Sequence, residues 1–159
     1  MQRIFFRDNL ACPHSLLGNA SEHPIELDDR RWPTVEHYYQ AQKFIEFDLQ
    51  ELIRRAPTAR RAVELGRNPC LPLRADWHDV RESVMYRALR AKFTQYPHLG
   101  EQLILTGNAQ LINDSQDDAQ WGAGPDRSGR NRLGVLLMRL RTELALAVSR
   151  KPAARPAAA

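Results

Sequence analysis

The feature that most constrains this chain is the run from 131 to 149, where Leu133, Leu136, Leu137, Leu140 and Leu144 return at three- and four-residue steps. That spacing puts them on one stripe of an α-helix, and an apolar stripe of this length has to be covered by other elements. The remaining sequence must therefore build a core against it. A second long helix is predicted from about Asp76 to Thr94, burying Val80, Val84, Ala88 and Ala91, with Met85, Leu89 and Lys92 beside them. A shorter one runs from about Pro97 to Leu105 and stops at Gly107. Earlier in the chain, Val35, Tyr38, Tyr39, Gln42 and Ile45 predict a helix from about 34 to 46. Asp48 and Thr58 are expected as N-caps of two further short helices, the second closed by Gly66 in the C′ position.

Strand signals are few. Ile4 to Phe6, Ile25 to Leu27 and Leu111-Ile112 read as short strands, set apart by turn formers such as Pro13, Gly18, Asn19 and the pair Asp28-Asp29. With 159 residues, no internal repeat and no interior linker, the expected fold is α+β: one compact, mostly helical domain with a few short strands. It should occupy residues 1–149, followed by a disordered basic tail, 150–159, whose prolines and alanines offer nothing to pack.

Composition excludes several functions. No apolar run approaches the roughly 18 residues needed to span a bilayer, and the start, MQRIFFRDNL, lacks the apolar region of a signal peptide, so no membrane role and a cytoplasmic location are expected. Cys12 and Cys70 belong to no CxxC pair and read as reduced thiols. The five histidines are scattered singly, and HExxH, Walker and EF-hand patterns are absent; Gly122, Gly124 and Gly129 do not keep the GxGxxG spacing. No metal and no redox cofactor are expected. The net charge of +4 holds three charges from the last ten residues, leaving +1 for residues 1–149. A broad phosphate-binding surface for a long polyanion is therefore not expected, whereas a local site for a small anionic ligand is compatible with this charge.

Two segments carry chemistry. In WPTVEHYYQAQKF, residues 32–44, Glu36 and Lys43 lie seven apart, which on a continuous helix returns them to nearly one face, about 10.5 Å apart along the axis. Gln40 and Tyr39 fall between them on that face. Charged helix faces are ordinarily solvated, but here Trp32, Tyr38, Tyr39 and Phe44 crowd the charges, as aromatic walls do around flat ligands. The second segment is the polar loop 113–131, whose Trp121 either folds back onto the core or stacks on a ligand. Asn131, at the start of the last helix, can cap it and can also aim helix N–H groups at a phosphate.

These residues, taken in order, carry a resemblance. WPTVEHYYQAQKF, LGRNP at 65–69, ALRAKFTQYP at 88–97, DDAQWGAG and GRNRLGVLLMRLR resemble the motifs of the YbiA-like, or NADAR, family from about Gly18 to Leu144. The resemblance implies a compact, mostly helical α+β domain and cleavage of N-glycosidic bonds. The implied substrate is a small phosphorylated glycoside such as an early ribosylamino-pyrimidine intermediate of riboflavin synthesis. The alternatives are removal of ADP-ribose from guanine in nucleotides or modified nucleic acid, and a non-catalytic ADP-ribose or nucleotide binding module. Glu36, Lys43 and Asp118 are the implied catalytic residues, and Asn19, Arg67, Trp121, Gly122 and Asn131 the implied substrate-binding residues. The chain departs from the family pattern twice. Leu17-Gly18-Asn19-Ala20 stands where the family has Phe-Ser-Asn-Phe, and Asn113, with Asp114 beside it, stands where many members carry a glutamate.

In the chemistry this implies, the bond from C1′ to nitrogen breaks with positive charge building on the sugar. Glu36 stabilises that charge or activates water, while Lys43 protonates the leaving base, holds phosphate or attacks C1′ as an amine. Asp118 serves as a second acid or holds the ribose hydroxyls, Trp121 stacks on the base, and Arg67 with the Asn131 helix start holds phosphate.

Overall fold

The structure, a computed structural model, describes residues 2–8, 12 and 14–150. The remainder of the expected tail, 151–159, lies outside the described residues. Among the described residues, two small sheets, six α-helices and one short 3₁₀ turn build the α+β fold. Strand β1 (Arg3–Phe6) pairs in parallel with β4 (Gln110–Asn113), from Arg3 opposite Gln110 to Phe6 opposite Asn113. Because the pair is parallel, both strands release their chains at the same end, and Arg7-Asp8 emerge next to Asn113-Asp114.

The second sheet contains a strand absent from the sequence reading. Strands β2 (Ile25–Leu27) and β3 (Arg30–Trp32) form an antiparallel hairpin whose two-residue turn is Asp28-Asp29. Both aspartates have positive φ, 53° and 56°, as a tight turn matched to strand twist requires. The Asp28 carboxylate accepts the Tyr38 hydroxyl at 2.8 Å, which helps to hold this strained turn.

Helix α1 (Val35–Ala41) sits at the centre, and every residue in it is buried. It packs against α2 (Phe47–Arg54), α3 (Ala59–Gly66) and α4 (Trp77–Gln95). Thr34 is its N-cap, accepting the His37 backbone N–H at 3.2 Å. The helix is shorter than the pattern suggested, because carbonyls beyond Ala41 are taken by other elements. Gln42 O and Lys43 O accept from the Arg74 side chain and backbone, and Phe44 O accepts from Gln50 at 2.8 Å. Phe44 itself turns into the core.

Two cap assignments are corrected. Glu46, not Asp48, precedes the first helical residue of α2; Asp48 lies in the first turn, where its charge suits the helix dipole. Gly66 is the last residue of α3 rather than a C′ residue, and a Cβ there would strike the Gln40 side chain, so glycine lets α3 approach α1 closely. Thr58 caps α3 as expected, accepting from Arg61 N at 3.1 Å. Helices α4, α5 (Pro97–Leu105) and α6 (Arg132–Ser149) lie within a residue or two of their sequence positions. The leucine stripe of α6 covers β4 and α5, with Leu133, Leu137 and Leu140 fully buried. Among the described residues no helix is long and apolar enough to cross a membrane.

Candidate active site

A cleft of about 1250 Å³ opens over α1. Its floor is Glu36, Gln40 and Tyr39; α3 supplies Val63 on one side with Arg67 just beyond its end, α4 supplies Trp77 and Arg81, and the loop after β4 supplies Asn113 to Trp121. Arg7, Asp8 and Asn19 complete the rim. Volumes of roughly 300–1,000 Å³ are usual for small-molecule sites, so there is room for a ligand larger than a single ring.

Glu36 is the chemical centre of this floor. Only 8% exposed, it has both carboxyl oxygens held by amides: Gln40 Nε2 donates to Oε1 at 2.6 Å and Asn19 Nδ2 donates to Oε2. The backbone repeats the link, with Glu36 N donating to Asn19 O at 2.8 Å. Burial pushes the carboxyl up to about 7; the Gln40 hydrogen bond opposes this, Asp8 adds to it, and Lys43 and Arg67 oppose it from farther away. Such a group exchanges a proton near neutrality.

Lys43 lies past the end of α1, so the continuous helical face expected to join it to Glu36 does not exist. It nevertheless lines the same cleft, its ammonium donating to Gly66 O at 3.0 Å and lying 5.8 Å from the centre of the Tyr39 ring. Burial lowers it to about 8, with Glu36 pulling against the change and Arg67 reinforcing it. An acid at about 7 and an amine at about 8 thus share one floor.

Trp121 folds back onto the core and also lines the cleft. It is buried at 8% exposure, packs edge-on to Tyr39 with ring centres 5.3 Å apart, and donates its indole N–H to the Tyr39 hydroxyl at 3.1 Å, while still lining the cleft. Tyr39 in turn lies 5.0 Å from Trp77, so three aromatic rings form one wall. Asp118 shapes the loop: its Oδ1 accepts the backbone N–H groups of Gln120 and Trp121 at 2.9 and 2.8 Å, and its Oδ2 faces Arg67 at 4.0 Å.

Two expected ligand contacts are not built. The Asn131 side chain is occupied in joining α6 to β4, donating to Leu111 O at 2.8 Å and accepting from Asn113 N at 2.9 Å. The first N–H groups of α6 are also engaged, Arg132 N by Gln120 O and Leu133 N by Trp121 O. The helix start therefore holds the loop through Arg132 N and Leu133 N, and neither of these donors is directed at the cleft. Gly122 does not line the cleft either; a Cβ at that position would meet Ser115 and the Asp118 carbonyl, so its part is to let the loop close tightly. At the departure from the family pattern, Asn113 donates to Trp121 O at 3.3 Å, and the Asp114 carboxylate is held by Arg7 at 2.6 Å and Arg127 at 3.5 Å.

The sequence reading missed three residues of this site: Trp77 of the aromatic wall, Asp8 and Arg81. Asp8 follows β1 and accepts Ala20 N at 3.1 Å; burial raises its carboxyl. Arg81 enters from α4 without an ion-pair partner among the described residues. Its spacing after Trp77, one helical turn on, was the available signal. Among the described residues no group of three His, Cys, Asp or Glu side chains is placed to hold a metal ion.

Comparison with known proteins gives the chain's relatives. Residues 5–145 match the NADAR domain. The chain is 47% identical over 129 residues to a protein of Shigella boydii named N-glycosidase YbiA, covering 81% of each. It is 44% identical over 131 residues to a riboflavin biosynthesis protein of Vibrio vulnificus, covering 82% of this chain but 36% of that longer one. The NMR structure of the Escherichia coli protein YbiA superposes with a TM-score of 0.85 at 40% identity, covering 94% of this chain and 90% of that one.

Proposed function

The chain belongs to the NADAR family and is an enzyme of the N-glycosidase type, and from that premise we propose that it hydrolyses the C1′–N bond of a phosphorylated ribosylamine, with Glu36 and Lys43 as its acid–base pair. The observation that carries this reading is the cleft itself: it is lined by a buried carboxyl fixed by two amides and raised by burial to about 7, and by a half-buried amine lowered by burial to about 8. A name such as riboflavin biosynthesis protein on a relative supports a ribosylamino-pyrimidine phosphate as the substrate to try first.

In the proposed step, the electrons of the C1′–N bond leave with the base and the Lys43 ammonium gives its proton to that nitrogen. The Glu36 carboxylate faces the positive charge developing at C1′ and takes a proton from the water that attacks there, so the products are the free base and the sugar phosphate. The two amide donors hold Glu36 in one orientation before the reaction begins, which is where electrostatic stabilisation gains most. Arg67 and Arg81 hold phosphate, while the wall of Tyr39, Trp77 and Trp121 offers ring edges and faces to the base.

A second reading rests on the size of the cleft. Its volume and two separated arginines also suit an ADP-ribosyl group on guanine, with a diphosphate between the two ribose rings. Incubation with a ribosylamino-pyrimidine 5′-phosphate and, separately, with ADP-ribosyl-guanosine, followed by mass spectrometry for free base with sugar phosphate in the first and for guanosine with ADP-ribose in the second, tests both. Release from the first alone supports the main reading, and release from the second alone replaces it. Saturable binding without release from either identifies a binding module.

Lys43 has two chemical roles that one measurement separates. Borohydride added during turnover traps an amine bonded to the opened sugar, and the adduct mass on Lys43 appears only if its nitrogen attacks C1′. The hydrolytic reading expects no adduct.

A further inference from the structure

Behind the cleft floor lies a lysine that the proposed chemistry does not use. Lys92, on the core face of α4, is 0% exposed. Its ammonium donates to Leu16 O at 2.6 Å, to Gly18 O at 2.8 Å and to the Ser21 hydroxyl, so all three N–H donors are satisfied by one short segment. Among the described residues it forms no ion pair; Asp8 is the carboxylate whose charge favours its protonated form. Burying an ammonium is costly when an apolar side chain could fill the same space, and burial here lowers the group to about 7. Such a placement needs an account beyond packing.

The segment that Lys92 grips is the one that addresses Glu36. Gly18 precedes Asn19, whose amide donates to Glu36 Oε2 and whose carbonyl accepts Glu36 N. On the other side, Ala20 N is held by the Asp8 carboxylate. Segment 16–21 has little regular structure of its own beyond one short 3₁₀ turn, so external anchors decide where Asn19 stands. Lys92 supplies one anchor on each side of it.

We propose that Lys92 is a positioning residue for the glycosidic reaction, acting through Gly18 and Ser21 to set where the Asn19 amide meets Glu36. This rests on the reading of Glu36 as the carboxylate that acts at C1′. A lysine suits the task because its tetrahedral ammonium donates in three directions at once, whereas methionine of similar length donates none.

The test is a double-mutant cycle on turnover of a ribosylamino-pyrimidine 5′-phosphate. Lys92→Met and Asn19→Ala are each expected to lower kcat by roughly tenfold to a hundredfold with KM changed little, the size of effect that a misplaced reacting group produces. The pair together should lose no more than the larger single loss, because both act through one contact. Losses that multiply, or an unchanged kcat in folded Lys92→Met, overturn the proposal. If Lys92→Met does not fold, Ser21→Ala removes one of its three acceptors, together with the bond the Ser21 hydroxyl donates to Gly18 O. That variant should lower kcat several-fold in the parent and not at all in the Asn19→Ala background, and an unchanged kcat in the parent overturns the proposal equally. Glu36→Gln in the same assay separates the two levels: turnover surviving there defeats the reading of the site, while its loss with normal Lys92 and Ser21 variants defeats only the role of Lys92.

Discussion

Two glutamates fifteen residues apart show how this fold makes carboxylates of opposite character. Glu51 on α2 is surrounded by Arg54 at 2.7 Å, Arg55 at 3.4 Å and Arg30 at 3.5 Å, and these guanidinium groups, Arg54 foremost, hold its carboxyl down to about 2. Glu36 is more deeply buried and meets neutral amides, and burial raises its carboxyl to about 7 against the pull of the Gln40 hydrogen bond. The two differ in depth as well as in partners: Glu36 is buried in the fold, whereas Glu51 is only partly covered. An ion-pair cluster fixes charge and serves structure, whereas amide donors orient a carboxyl while leaving it able to change charge.

The largest consequence concerns turnover. Glu36→Gln should lower kcat by about 10²–10⁴-fold while the protein stays folded, since the amide keeps the shape and loses the base. Glu51→Gln should leave kcat unchanged and cost only about 1 kcal/mol in denaturant unfolding. Equal effects of the two on activity would remove the distinction. The pH profile sharpens it next: kcat/KM should rise through about 7 as Glu36 ionises and fall above about 8 as Lys43 loses its proton, giving a narrow bell. A profile flat from pH 6 to 9 would show that neither group carries the chemistry.

Stability should respond to pH in opposite directions at the two sites. Glu36 binds its proton more tightly in the folded protein than in the unfolded chain, so its contribution is greatest below about 4.5 and is lost as pH rises through about 7. Glu51 behaves in reverse, contributing above about 4.5 and losing that contribution as pH falls through about 2. Relative to the parent, Glu36→Gln should thus gain roughly 1–3 kcal/mol between pH 5 and pH 8, and Glu51→Gln should lose its disadvantage only in strong acid. Melting curves of the three proteins across pH 2 to 9 measure this directly.

The same contrast explains what could be read from the sequence. Helices α4, α5 and α6 are set by local pattern and by Pro97 and Gly107, and they lie where periodicity put them. The end of α1 could not be read that way, because Arg74 and Gln50, distant in sequence, take the carbonyls that a longer helix would have used. Glu36 and Lys43 were legible as candidates, although their shared face was not; the cleft unites them through α3, which receives Lys43 at Gly66. Asn131 matched a helix-capping and phosphate pattern, yet its side chain serves β4. Asp8 reaches the site only through tertiary packing, which leaves no periodic trace, whereas Arg81 and Lys92 stand at helical spacings on α4 that do not say what they meet.

The smallest expected effect compares free and paired cations. Arg81 faces the cleft with no ion-pair partner among the described residues, so a substrate phosphate gains its full charge, whereas Arg54 already has both guanidinium ends on Glu51 at 2.7 Å. Arg81→Ala should therefore raise KM roughly tenfold for a phosphorylated ribosylamine and leave kcat nearly unchanged, the pattern of lost uniform binding. Arg54→Ala should leave both constants as they are. The decisive comparison is the dephosphorylated ribosylamine, for which Arg81→Ala and the parent should have the same KM. If the tenfold difference persists without the phosphate, Arg81 contacts the sugar or base, and the anionic end of the substrate lies at Arg67 alone.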